Sequence, residues 1–364
     1  MMRNLQDLLE NAVGSQTVPG AVALVARGDA VEIASAGELG PDSIVRIASI
    51  TKPITAAALM LLVDEGLVAL GDPIARWLPE LASPKVVRSP EGPIDDVVPA
   101  ARPITVEDLL TFRAGWGFPS DFSLPAVGEL FRRLPVFGPS ETPEQWLETL
   151  SDVPMLHQPG DAWLYNTCSD VQGVLIARVS GQPLPEFLAE RIFEPLGMAD
   201  TGFHVPAAKL DRLPPYHAAG AGAAPIPEHL WREPPIFPSG AGGLVSTLAD
   251  WHRFARMLLA GGGALLSSEA VALMTTDHLT QEQRDASRLF LEGAGWGFGG
   301  AVAADGRYGW VGGTGTTAHV APSTRTIGIL LTQVQMAGPT PPPLMRRFWR
   351  YAFGAEPSRA LSGS

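Results

Sequence analysis

The chain has one cysteine, Cys168, so no internal disulfide can form. Paired CxxC and HExxH spacings are missing and the seven histidines are scattered, so no pattern calls for a metal or a cofactor. No stretch approaches the roughly 18 consecutive apolar residues of a membrane span. The opening MMRNLQDLLENAVGSQ lacks the unbroken apolar core of an export signal, and the expectation is a cytoplasmic protein. Positive charge is also scarce. Lys and Arg number 26 against 38 Asp and Glu, a net of -12 without any basic run. Nucleic acid and anionic membrane surfaces would find little to hold, which leaves a small-molecule partner and an open oligomeric state.

What is present is bulk. The 364 residues are 46% hydrophobic and 18% charged, the balance of a globular protein with room for two lobes. Two apolar runs, Ala21 to Ala26 and Val31 to Ala36, flank a Gly-Asp turn and predict an N-terminal β-hairpin. From Ile50 to Glu65 the apolar positions follow helical spacing, with Gly66 as a stop. Pro-rich and Gly-rich stretches from Ala82 to Pro103 and from Gly115 to Ser140 read as loops lining a cleft. Thr142-Pro143-Glu144-Gln145 carries the signature of a capped helix start. Further helices are expected over Val171 to Val179, Glu186 to Phe193 and Leu344 to Phe353, and late strands over Arg307 to Val311, Thr317 to Ala321 and Ile327 to Gln333. Strands at both ends with helices between predict an α/β (α+β) protein. Its sheet domain is built from residues 1–75 and 231–364, and 76–230 form a mainly helical insertion, with the active site between them.

The chemistry gathers at Arg46-Ile47-Ala48-Ser49-Ile50-Thr51-Lys52-Pro53, where the long helix begins. Backbone N–H groups at a helix start point toward a bound anion, so a serine there sits beside a ready oxyanion site. Lys52, three residues on, returns to the same face within reach of the Ser49 hydroxyl. A serine needs a base to become a nucleophile, and a lysine can be that base only if burial or a neighbouring cation lowers its pKa.

The surrounding SIVRIASITKPITAAALMLLVDEGLVALGDPIARWLPEL resembles the SxxK region of the class C β-lactamase, DD-peptidase and family VIII esterase superfamily. The likeness continues through ITVEDLLTFRAG, PGDAWLYNTCSDVQGVLIARVSG, EPLGMADTGF, GGLVSTLADWHRFARMLL and YGWVGGTGTTAHVAPSTRTIGILLTQ, which together span nearly the whole chain. It implies the β-lactamase/transpeptidase-like fold, an antiparallel sheet flanked by helices plus a helical domain. It also implies a catalytic tyrosine facing the Ser-Lys pair, at Tyr165 of WLYNTCSD. Many relatives have Tyr-x-Asn, whereas this chain reads Tyr165-Asn166-Thr167, so the usual amide is displaced or absent and Thr167 becomes a candidate contact to substrate or to Lys52.

The third motif of β-lactamases is Lys-Thr-Gly, and the matching strand here is Trp310-Val311-Gly312-Gly313, close to the Trp-Gly-Gly form of the esterases. The cation that holds a penicillin carboxylate is therefore missing, which favours neutral esters. Trp310 and Gly312 are assigned to substrate binding, and the N–H groups of Gly313 and Ser49 to the oxyanion hole. Trp116, Phe118, Trp163 and Trp296 are candidate walls of the acyl pocket, and Cys168 is read as a small packed residue. The expected activity is a carboxylesterase-like serine hydrolase. The alternatives are a β-lactamase, a D-aminopeptidase or DD-peptidase, an acyltransferase using the same acyl-enzyme, and a silent sensor on the same fold.

Overall fold

A computed structural model describes residues 4–134, 141–218 and 230–354. The expected hairpin is present as β1 (Gly20–Arg27) and β2 (Ala30–Gly37), paired antiparallel with Gly28 at φ +58 in the turn. Five later strands join it: β3 (Gly295–Trp296), β4 (Ala301–Val302), β5 (Tyr308–Gly312), β6 (Thr316–Ala321) and β7 (Thr326–Leu331). The seven-stranded sheet runs β2-β1-β7-β6-β5-β4-β3, and all of its pairings are antiparallel. The first strand thus pairs with the last, Val22 opposite Leu331.

β1 is buried at every position but its last, which is why AVALVA reads as an unbroken apolar run and not as an alternation. Ala21, Ala23 and Val25 face the terminal helices α1 (Leu5–Gly14) and α8 (Pro343–Phe353), in a cluster with Leu5, Leu9, Phe348 and Trp349. Val22, Leu24 and Ala26 face the main core, shared with Trp251 and Phe254 of α6 (Leu248–Leu259). Through that core runs α2 (Lys52–Asp64), buried from Lys52 to Leu62. A helix apolar on every face belongs in the middle of a protein.

The helical side carries α3 (Pro125–Arg133), α4 (Pro143–Ser151) and α5 (Thr167–Ser180). The Thr142 capping box forms as expected, and α5 stops at Gly181, φ +70. Two expected loops hold structure. A small hairpin pairs Lys85–Val87 with Val97–Pro99, and α3 lies inside the stretch read as irregular up to Ser140, of which 135–140 are outside the described residues. Pro125 caused that misreading, because a proline in the first turn opens a helix instead of breaking one. The helix expected at Glu186 starts at Leu184 and widens into a π turn over Ala189–Phe193. No helix among the described residues is long and apolar enough to cross a membrane.

Candidate active site

Ser49 lies on a tight 3-10 turn, Ala48–Thr51, that runs straight into α2. Three neighbours hold the approach to it. Arg46 pairs with Val245 in a two-residue ladder, Thr314 donates its hydroxyl to the Arg46 carbonyl (2.6 Å), and Thr316 donates to the Ile47 carbonyl (2.8 Å). Ala48 is left at φ +47, an unusual conformation for a residue with a Cβ, costing on the order of 1–3 kcal/mol that the surrounding bonds must offset. The result is a half-buried serine presented at a corner.

Lys52 is wholly buried. Its Nζ donates to Ser49 Oγ (2.9 Å), Asn166 Oδ1 (2.9 Å) and the Ala241 carbonyl (2.6 Å), and it lies 4.6 Å from the centre of the Tyr165 ring. Burial lowers its pKa from 10.5 to about 7, against the opposing pull of the Asp170 carboxylate. The three acceptors account for every hydrogen of an ammonium. A neutral amine has only two, so if these stay on Asn166 and Ala241 the lone pair faces Ser49.

Tyr165 reaches the pair from the residues just before α5. Its hydroxyl accepts the Trp310 indole N–H at 2.8 Å and is close enough to Ser49 for the serine hydroxyl to pull its pKa down against burial. Burial pushes it up to about 12, so at neutral pH it is a phenol. Trp163 lies 5.8 Å behind its ring, and Trp296 packs edge-on against Trp310 at 4.8 Å. These two tryptophans and Trp116 are almost fully buried, so they belong to the core rather than to an open pocket wall, and Trp163 packs directly on the tyrosine. Trp116 spends its N–H on the Val153 carbonyl.

The displaced amide is found one residue early. Asn166 adopts φ +84, and its side chain reaches Lys52, the role the sequence offered to Thr167. Thr167 is instead a buried first residue of α5. Asp170, one turn into α5, accepts from Ser239 Oγ (2.7 Å) and from the Ala241 N–H (3.1 Å), and burial raises its carboxyl above the usual range. It therefore braces the loop whose carbonyl binds Lys52. Gly240 at the centre of that loop is required, since a Cβ there would strike the Ser169 carbonyl, and its own carbonyl accepts from Thr55 of α2. Neither Asp170 nor the 239–241 loop was a sequence candidate, because each acts across more than 60 residues of chain.

Trp310, expected at the substrate, gives its N–H to Tyr165. At the end of β5, Gly312 packs directly on the serine turn, and a Cβ there would collide with Thr316 Oγ1 and the Ile47 carbonyl. Gly313 is exposed, with open space beside it, and its carbonyl accepts from Met336 N–H at 2.8 Å. Cys168 is buried, its thiol pushed up to about 12 by burial. No group of three or more His, Cys, Asp or Glu among the described residues could hold a metal.

A profile of the Beta-lactamase family matches residues 5–349. The chain belongs to the Beta-lactamase family. This Beta-lactamase-family protein is a serine hydrolase with the expected β-lactamase/transpeptidase-like fold. It is 40% identical over 318 residues to Protein Rv1367c of Mycobacterium tuberculosis (strain ATCC 25618 / H37Rv), covering 80% of this chain and 78% of that one. It is 30% identical over 330 residues to Esterase EstB of Burkholderia gladioli, covering 81% and 78%. Its fold superposes with a TM-score of 0.81 on EstCE1, a hydrolase with promiscuous acyltransferase activity, at 25% identity and over 96% and 97% of the two chains.

Proposed function

We propose that the protein hydrolyses neutral carboxylic esters of small molecules through an acyl-Ser49 intermediate. The observation that carries this reading is the buried Lys52 amine bonded to Ser49 Oγ, with a pKa near neutrality and its other N–H groups already engaged. Neutral Lys52 takes the hydroxyl proton as Ser49 Oγ attacks the ester carbonyl. The N–H groups of Ser49 and Gly313 hold the oxyanion. When the C–O bond to the alcohol breaks, Tyr165 gives its phenolic proton to the departing oxygen and regains one from the Lys52 ammonium. Water then attacks the acyl-enzyme through the same groups in reverse, releasing the acid and free Ser49.

An alcohol in place of that water would make the protein an acyltransferase, a reading favoured by the likeness to EstCE1. Trp310 stands where a lactamase would hold a cation, and its N–H is committed to Tyr165, so nothing at that place attracts a penicillin carboxylate. The wild type should be labelled by a fluorophosphonate probe and turn over a short p-nitrophenyl ester, and Ser49→Ala should lose both while keeping its circular dichroism. Undiminished turnover in that variant would remove the nucleophile from the proposal, and rapid nitrocefin hydrolysis would remove the preference for neutral esters.

A further inference from the structure

Exposed apolar side chains that stand alone need no explanation, whereas a contiguous exposed apolar patch marks a binding surface. Phe122 is 42% and Phe131 38% exposed, yet neither stands alone. Phe131 stacks on Phe118 at 4.3 Å, and Phe122 lies 6.0 Å from Phe118, from Phe131 and from Phe290. Phe290, in the short helix α7 (Arg288–Leu291), is 4.8 Å from the ring of Tyr165. The rings therefore form an unbroken shelf from solvent to the phenol beside Ser49. Its two halves come from distant segments and are tied, across 166 residues of chain, where Ser120 Oγ donates to the Ala286 carbonyl at 2.6 Å.

The charged residues flanking these rings in sequence are already engaged. Asp121 accepts from Ser123, Glu129 pairs with Arg132 and Arg133, and Arg288 pairs with Asp285. The shelf thus presents ring faces and edges, with the flanking charges held by ion pairs or, for Asp121, by hydrogen bonds from Ser123, the chemistry that receives an aromatic group. Orientation follows from the proton bookkeeping. Tyr165 protonates the leaving oxygen, so the carbon skeleton on that oxygen crosses Tyr165 toward Phe290, while the acyl group stays with Ser49.

We infer that the alcohol portion of the substrate is apolar and aromatic and lies on the shelf of Phe122, Phe131 and Phe290, an inference that rests on the esterase reading. The test compares ethyl acetate with 2-naphthyl acetate, and acetate with octanoate at constant alcohol, in the wild type and in the double variant Phe122→Ala/Phe131→Ala. Both side chains are partly exposed, so the variant should fold, and fluorophosphonate labelling reports whether its Ser49 site persists. The ratio of kcat/KM for naphthyl over ethyl acetate should fall about tenfold, with the octanoate-to-acetate ratio held. Equal losses for both alcohols, a change that follows acyl length, or no change would overturn the inference. Binding of 2-naphthol, read from its own fluorescence, needs no turnover. Its weakening in the double variant supports the shelf even if ester hydrolysis fails, and undiminished binding refutes the shelf even if hydrolysis succeeds.

Discussion

Replacing Asn166 with aspartate, which swaps one acceptor of the Lys52 amine for a carboxylate of the same shape, should move the base-limited part of the pH profile upward. Lys52 sits at about 7 because burial disfavours its charge, and Asn166 Oδ1, 2.9 Å from Nζ, is a neutral partner. With an ordinary lysine pKa, roughly one molecule in 3,000 would carry a free base at pH 7, whereas at about 7 half of them do. A carboxylate at hydrogen-bond distance stabilises an ammonium by roughly one to three pKa units. Each unit costs tenfold in neutral amine below the original pKa of about 7, so a shift of about two units lowers kcat/KM at pH 6 about a hundredfold.

The sign follows from the proposed mechanism, in which activity rises as Lys52 loses its proton, so N166D should recover toward the wild-type plateau near pH 9. Tyr165, at about 12, adds no falling limb below that pH. The assay is kcat/KM for p-nitrophenyl butyrate from pH 5.5 to 9.5, corrected for spontaneous hydrolysis, with fluorophosphonate labelling rates as a check on the alkaline side. A limb that stays near 7 in N166D while the plateau drops would show that Lys52 is not the group that titrates.

Two further outcomes follow from packing. Gly312→Ala forces a methyl onto Thr316 Oγ1 and the Ile47 carbonyl and should cost about 1–3 kcal/mol, whereas Gly313→Ala meets nothing within 4 Å. Calorimetry should therefore show a Tm lowered by a few degrees for the first variant alone, and equal shifts would contradict the packing. Cys168, buried and with its thiol at about 12, should resist an aromatic disulfide reagent at pH 8 and react with one equivalent in guanidinium. Modification of the native protein at the rate of a free thiol would disprove that burial.

The sequence exposed what depends on neighbours along the chain. The hairpin, the Thr142 capping box and the three-residue return from Ser49 to Lys52 follow from local spacing, and each is present. What stayed hidden depends on backbone turns or distant segments. By position Asn166 is out of register with the motif, and a φ of +84 swings the amide into place regardless. The Ala241 carbonyl is a main-chain atom 189 residues from Lys52, without any side-chain signature. Trp310, in the place of the motif's cation and expected at the substrate, gives its indole N–H to the Tyr165 hydroxyl, a contact between residues 145 apart that no local pattern marks. The three buried tryptophans show why composition cannot separate a pocket wall from its backing, since the same ring serves either place.

The pairing of β1 with β7 also sets an order of events during biosynthesis. The segment carrying Ser49 and Lys52 is made well before the last strand, and the apolar strand at Ala21–Ala26 has no partner on one edge until Thr326–Leu331 has been made. Thr314 and Thr316, which clamp the serine corner, arrive equally late. Contacts of such long span form slowly, and an unpaired apolar edge is prone to association meanwhile. The proposed nucleophile, Ser49, is thus translated before the residues that hold its corner, and its turn gains those two bonds only after Thr314 and Thr316 have been added.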